Sequence, residues 1–223
     1  MSGLAERLAR VDAGIADAAR EAGRDPADIT RIVVTKFHPA SLVRELAELG
    51  VRDVGENRHQ EAQQKAAELV DLPLTWHFVG QLQSKKARQA IRYARVVHSI
   101  DRTSLVDALA GDHDPVDCFV QLNLTDDPAR GGVQPDEVEA IAERVLSSAG
   151  LRLRGVMAVA PLDEQPRRAF ARVRAASERL RLIAPDARDI SAGMSGDYRE
   201  AILEGATHLR IGTAITGNRP ARG

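Results

Sequence analysis

The sequence predicts a closed (β/α)8 barrel of the TIM type, in a single domain spanning residues 1–223. Three observations lead there. Eight short β-branched or apolar runs alternate with Ala-, Glu-, Arg- and Leu-rich stretches of helical period, the pattern of parallel strands joined by crossover helices. Eight such strands fit 223 residues as one barrel. The last run is followed by a short tail and the first is preceded by an amphipathic helix, which is placed to fill the gap after the final strand. A doubly wound open sheet stays the alternative, because periodicity does not separate the two.

The opening helix, residues 3–22, sets Leu4, Leu8, Val11, Ile15 and Ala19 at helical spacing with charges opposite, and Gly23 and Pro26 stop it. Strands are expected at 32–35, 53–55, 75–79, 96–98, 116–122, 153–158, 189–192 and 207–211. Helices are expected at 41–49, 58–69, 85–93, 104–110, 135–147, 168–183 and 198–203. Gly131-Gly132 and Pro185 punctuate loops, and no linker divides the chain.

The chain is 43% hydrophobic, enough for a core without metal or disulfide support. A net charge of -1 gives no electrostatic case for nucleic acid or an anionic membrane as main partner. Apolar runs of a few residues do not span a bilayer, and Met1 to Arg7 lack the apolar core of a secretion signal. One cysteine, Cys118, excludes an internal disulfide framework and a Cys-rich zinc site. It lies in a strand-like run and reads as a small core residue, and the expected compartment is a reducing cytoplasm. The histidines fall in no metal-ligand spacing, so no metal is expected.

Lys36 follows Ile32-Val33-Val34-Thr35. The carboxyl ends of barrel strands are where such folds place their chemistry. An amine against apolar walls gives up its proton more readily than in water, and a neutral amine attacks an aldehyde to form a Schiff base. The plainer reading is a solvated lysine at a strand end. After the seventh strand, Gly193-Met194-Ser195-Gly196-Asp197 leads into a helix; after the eighth comes Gly212-Thr213-Ala214. Small residues at these two turns let backbone amides approach an anion, and phosphate usually sits on these two loops of a barrel. The plainer reading is that Ser195 or Asp197 caps the following helix. Arg210, late in the last strand, is a guanidinium that needs an acceptor: a heteroaromatic nitrogen or a core carboxylate. Glu56-Asn57, His77, His98-Ser99 and Gln121 add polar groups at other strand ends, as in a ligand pocket. His77 reads equally as a satisfied core histidine, and Asn57 as a helix cap. Gln83 to Lys86 begin a solvated helix.

Val34-Thr35-Lys36, Gly55-Glu56-Asn57, the run from Trp76 to Ser84, His98-Ser99-Ile100-Asp101, Gly193-Met194-Ser195 and the run from Arg210 to Ile215 occur in order. As a set the chain resembles the pyridoxal 5'-phosphate (PLP) homeostasis protein family, from Val33 to about Gly217. The resemblance implies a fold like the barrel domain of alanine racemase, with PLP bound as a Schiff base on Lys36. It implies that Ser195, Gly212 and Thr213 hold the phosphate, that Arg210 faces the pyridine nitrogen, and that Asn57 and His77 line the pocket. An arginine facing that nitrogen does not favour its protonation and weakens the cofactor as an electron sink. Four positions depart from the pattern. Phe37 stands where members commonly have a small polar residue, Ala192 where methionine is usual, Thr216 where phenylalanine is usual, and Arg130 where many carry lysine.

Three functions follow from this reading. The first is a PLP carrier without robust turnover, acting in vitamin B6 and amino-acid homeostasis, with PLP-dependent apoenzymes as recipients and no catalytic residue. The second is a PLP-dependent amino-acid racemase of the same fold. A two-base racemase needs a second acid/base across the ligand. Tyr93 and Tyr198 lie in helical stretches rather than at strand ends, which favours the carrier. The third is a PLP-free barrel acting on a sugar or nucleotide phosphate. The contacts that pair alanine racemase subunits use a domain for which no residues remain, so a monomer is expected.

Overall fold

Residues 3–218 are described by a computed structural model. Alternation along each strand sends one side chain to the barrel axis and the next to the helices. Eight parallel strands close in sequence order: β1 (Thr30–Val34), β2 (Asp53–Glu56), β3 (Thr75–Phe78), β4 (Ala94–Ile100), β5 (Val116–Gln121), β6 (Leu151–Met157), β7 (Asp189–Ser191) and β8 (His208–Ile211). Closure is carried by β1, which pairs with β8 from Thr30↔His208 to Val33↔Ile211 and with β2 at Val33↔Val54.

Val33, Val54, Phe78, Val97, Cys118, Val120, Val156 and Ile211 face outward into the large core beneath the helices. Val96, Phe119 and Met157 form a separate apolar cluster inside the barrel. Burial pushes the Cys118 thiol up to about 12, so it packs as an inert core side chain.

The ring of helices comprises α1 (Gly3–Glu21), α2 (Ala40–Glu48), α3 (His59–Glu68), α4 (Ala87–Ala90), α5 (Thr103–Leu109), α6 (Val138–Leu146), α7 (Pro166–Ile183), α8 (Tyr198–Leu203) and α9 (Thr213–Thr216). Leu4, Leu8, Val11, Ile15, Ala18 and Ala19 form the buried face of α1, which packs on α8 and α9 and so covers the seam beside β8. Gly14 permits that approach: a Cβ there would lie 2.2 Å from Tyr198 Oη.

Three expected elements differ in detail. The 85–93 helix is a 3-10 turn at Ser84–Lys86 followed by the single turn α4, because β4 begins at Ala94 and leaves no room for more. The 135–147 helix begins only at Val138. Glu137 first closes a turn, accepting from Gln134 N–H at 2.9 Å while donating its own N–H to the Gln134 carbonyl at 3.0 Å. β1 ends at Val34, so Lys36 lies in the turn beyond the ladder, although Thr35 N–H still donates to Gly55 O at 3.0 Å. Among the described residues no helix is long and apolar enough to cross a membrane.

Candidate functional site

Lys36 is held by its neighbours. On one side, Thr35 is fully buried and its Oγ1 donates to Glu56 Oε1 at 2.7 Å. On the other, Phe37 N–H donates to Glu61 Oε1 at 2.5 Å. Lys65, from α3, ties these anchors together: its Nζ donates to Thr35 O at 2.8 Å, Glu56 Oε1 at 2.7 Å and Glu61 Oε1 at 2.7 Å. Burial raises the Glu56 pKa above its ordinary value, and the Lys65 charge opposes that rise. Phe37 takes φ +69°, a left-handed conformation that a bulky residue adopts only when its surroundings impose it. A small polar residue at this position would carry less strain. Lys36 Nζ itself is half-buried and makes no hydrogen bond or ion pair among the described residues; it lies 6.0 Å from the Phe37 ring centroid.

The two loops expected to receive an anion meet. Gly193 has φ +92°, and a Cβ there would sit 2.7 Å from Ala201 Cβ, so only glycine lets this loop fold down onto α8. Ser195 Oγ accepts from Ala214 N–H at 3.2 Å, which joins the β7–α8 loop to the first turn of α9. Gly212 precedes that turn, and a Cβ on it would come no nearer than 3.8 Å to a neighbour. Thr213 opens α9 and is exposed. Asp197 is the N-cap residue of α8 but makes no side-chain cap bond there; its Oδ1 accepts from Met194 N–H at 2.6 Å. Ala192 is fully buried, and Thr216 Oγ1 donates to Gly212 O at 3.2 Å.

Arg210 is 5% exposed. Its partners are neutral: Nη1 donates to Ser191 Oγ at 2.6 Å and Nη2 to Ala158 O at 2.8 Å. No carboxylate lies within ion-pair distance of it among the described residues, so the core-carboxylate partner considered above is not the one found. Burial pushes its pKa down to about 10, with the Asp197 charge acting against the shift.

His77 is buried inside the barrel with both ring nitrogens engaged, Nδ1 2.9 Å from His98 Nε2 and Nε2 3.0 Å from Asp53 Oδ1. Asn57 is half-buried on the rim and does not cap α3, whose N-cap position is Arg58. Two cavities flank these residues. One of about 640 Å³ runs beside Gln121, Asn123, Arg130, Met194, Gly196 and Asp197; one of about 540 Å³ is lined by Asn57, Phe78, Gln81 and Lys86 among others. Neither centres on Lys36, whose pocket is defined by the side chains around it. No group of three or more His, Cys, Asp or Glu side chains gathers to hold a metal among the described residues.

Sequence reasoning missed the Lys65–Glu56–Glu61 brace and the partners His98 and Ser191. Glu61 and Lys65 carried a signal, an i,i+4 spacing, but that spacing usually marks a solvated helix pair. His98-Ser99 stood out as a polar strand end, while Ser191 had no sequence signal beyond its place in the seventh strand.

A family described as alanine racemase, N-terminal domain, matches residues 17–220. A pyridoxal phosphate homeostasis protein of Pseudomonas aeruginosa is 42% identical, over 98% of this chain and 97% of the relative. One from Corynebacterium glutamicum is 41% identical, over 95% and 98%. Among solved structures, PipY of Synechococcus elongatus with PLP bound superposes with TM-score 0.83 at 37% identity, over 96% of this chain and 100% of that one. Alanine racemase from Corynebacterium glutamicum superposes with TM-score 0.72 at 17% identity, over 97% of this chain but 62% of that one, a likeness of fold alone.

Proposed function

Because this chain belongs to the pyridoxal phosphate homeostasis protein family, we propose that it holds PLP through Lys36 and acts as a carrier in vitamin B6 and amino-acid homeostasis. The residues fit that group. Ser195, Gly212 and Thr213 form an anion-sized corner with small side chains and backbone amides, at the two strand ends where barrels take phosphate. Arg210 offers N–H groups beyond those taken by Ser191 and Ala158 to a neutral ring nitrogen. Asn57 lines the rim, and His77 supports the pocket from beneath.

The observation that carries the reading is the partnerless amine of Lys36, braced on both sides and set on the same barrel rim as that corner. When bound, PLP supplies an electrophilic aldehyde carbon. The Lys36 amine, once neutral, condenses with it and releases water, leaving a Schiff base. Arg210, being cationic, does not favour a protonated ring nitrogen, so the site suits storage better than carbanion chemistry.

The carrier reading is favoured over a racemase because neither tyrosine reaches the rim as a second base. Tyr198 Oη points at Gly14 of α1, and Tyr93 Oη lies 3.2 Å from His59 Nδ1 between α3 and α4. PLP-dependent apoenzymes are the recipients this role requires, the acting unit is a monomer, and the compartment is the cytoplasm. Borohydride reduction of the PLP-loaded protein followed by peptide mapping tests the assignment. The expected result is a single modified peptide containing Lys36, with loss of visible absorption in Lys36→Ala. Modification at another lysine, or an unchanged spectrum in that variant, overturns it.

A further inference from the structure

A continuous hydrogen-bonded chain threads the barrel from one rim to the other. Arg210 Nη1 donates to Ser191 Oγ at 2.6 Å, and Ser191 Oγ lies 2.8 Å from His98 Nδ1. His98 Nε2 lies 2.9 Å from His77 Nδ1, and His77 Nε2 lies 3.0 Å from Asp53 Oδ1. Ser191 and His98 are fully buried and His77 is 3% exposed, whereas the Asp53 side chain, at the first residue of β2, is 32% exposed. The chain therefore begins at the guanidinium near the ligand and ends at a carboxylate on the opposite face.

The direction of each bond follows from what each group can give. Arg210 only donates, so Ser191 Oγ accepts from it and has its own proton to pass on. The nearest acceptor is His98 Nδ1. Burial, and then the charges of His77, Arg210 and His208, push the His98 pKa well below its ordinary value, so its ring carries one proton. That proton is then on Nε2, and His77 accepts it on Nδ1. His77 Nε2–H is left to donate to Asp53, which only accepts. With singly protonated rings, the reverse direction would set a lone pair of His77 against the Asp53 carboxylate. The His98 ring is also fixed mechanically, stacked on Phe119 with centroids 4.6 Å apart and planes 9° apart.

We propose that Ser191, His98 and His77 are positioning residues for Arg210: a one-way chain, running from Arg210 to Asp53, that aims the guanidinium at the ligand and disperses its buried charge towards the far rim. The consequence for PLP rests on the function proposed above; the chain itself does not. Arg210 has no carboxylate beside it, so aligned dipoles ending in a carboxylate are the stabilisation the barrel provides. Asp53 then influences a ligand it does not touch.

The test is made first on ligand-free protein. Long-range proton–nitrogen NMR of histidine-labelled chain, with assignments from His77→Gln and His98→Gln, reads which ring nitrogen is protonated. The expected result at neutral pH is hydrogen on Nε2 of both His77 and His98. Hydrogen on Nδ1 of either, or a doubly protonated ring, overturns the one-way chain. Next, Asp53→Ala and Ser191→Ala are compared with the natural sequence for the Arg210 side-chain nitrogen shifts and for PLP affinity. Thermal unfolding monitors the fold. The expected result is a moved Arg210 signal in both variants and PLP affinity weakened by about twofold to tenfold, the range for one hydrogen bond. Unmoved Arg210 signals with unchanged affinity in both overturn the positioning role. A natural protein that shows the expected tautomers but no PLP binding would refute the proposed function and leave the chain standing.

Discussion

Lys65 Nζ donates to the main-chain oxygen of Thr35 at 2.8 Å, so a second lysine, 5% exposed, holds the residue immediately before Lys36. The same amine sits 2.7 Å from the buried Glu56 and 2.7 Å from Glu61, which accepts from the amide immediately after Lys36. One cation thus fixes both flanks of the turn.

Removing that cation leaves Glu56 buried without its charge partner. Taking away one member of a buried pair costs about 3–5 kcal/mol, whereas replacing both members is close to neutral. Lys65→Met is expected to lose stability of that order in urea unfolding. Adding Glu56→Gln to it is expected to restore more than half. A single variant as stable as the natural chain would show that the brace carries no weight.

Ser195→Ala removes the hydroxyl that links the two rim loops, but nothing from the core. A charge-assisted hydrogen bond to a phosphate is worth about 1.5–3 kcal/mol. PLP affinity is therefore expected to fall by about tenfold or more, with the unfolding midpoint almost unmoved. Thr213→Val, on an exposed side chain, is expected to behave alike. Affinity unaltered in both variants would remove the phosphate assignment.

Racemisation is expected to stay at the buffer rate with common L-amino acids, because the two tyrosine hydroxyls face α1 and His59 rather than the rim. Chiral chromatography of PLP-loaded protein and of Lys36→Ala decides it: turnover that disappears with Lys36 would make the protein an enzyme.

The barrel was legible because its signal is distributed. Eight runs alternate with helices, and no single boundary matters to closure, so the late start of α6 and the shortened α4 leave the topology intact. Of the site, the residues with an unusual local pattern stood out: a lysine after a β-branched run, and glycine-rich turns after the last two strands. What local pattern does not carry is pairing across the barrel. His98 and Ser191 are 93 positions apart, and only closure of the sheet brings them to 2.8 Å. Lys65 misled for the opposite reason: its spacing to Glu61 is that of a solvated pair, and its burial depends on how α3 lies over β1 and β2. Phe37 is legible only in hindsight, since its positive φ explains why a small polar residue is the commoner choice there.

Acid should weaken the fold through the interior histidines. His208 lies edge-on to Phe119 at 5.1 Å between ring centroids, and its pKa is pushed down to about 4. Burial is the main cause. His77 and Arg154 act in the same direction, while Asp189 and Asp53 oppose it. His98 is shifted the same way. Above the ordinary histidine value of 6.5 these rings are neutral in folded and unfolded chains alike, and their contribution is intact. As pH falls from 6.5 towards 4, the unfolded chain takes up protons that the folded chain refuses, so stability is lost across that window. The slope approaches about 1.4 kcal/mol per pH unit for each such histidine. Glu56 works against this trend, since an acid whose folded pKa is raised favours the native state at low pH and loses that contribution as pH rises past 4.5. Urea midpoints measured from pH 7.5 to 4.5 are expected to fall steadily, and His208→Gln is expected to flatten the profile while leaving the other interior histidine in place. A profile identical in that variant would place the acid sensitivity elsewhere in the chain.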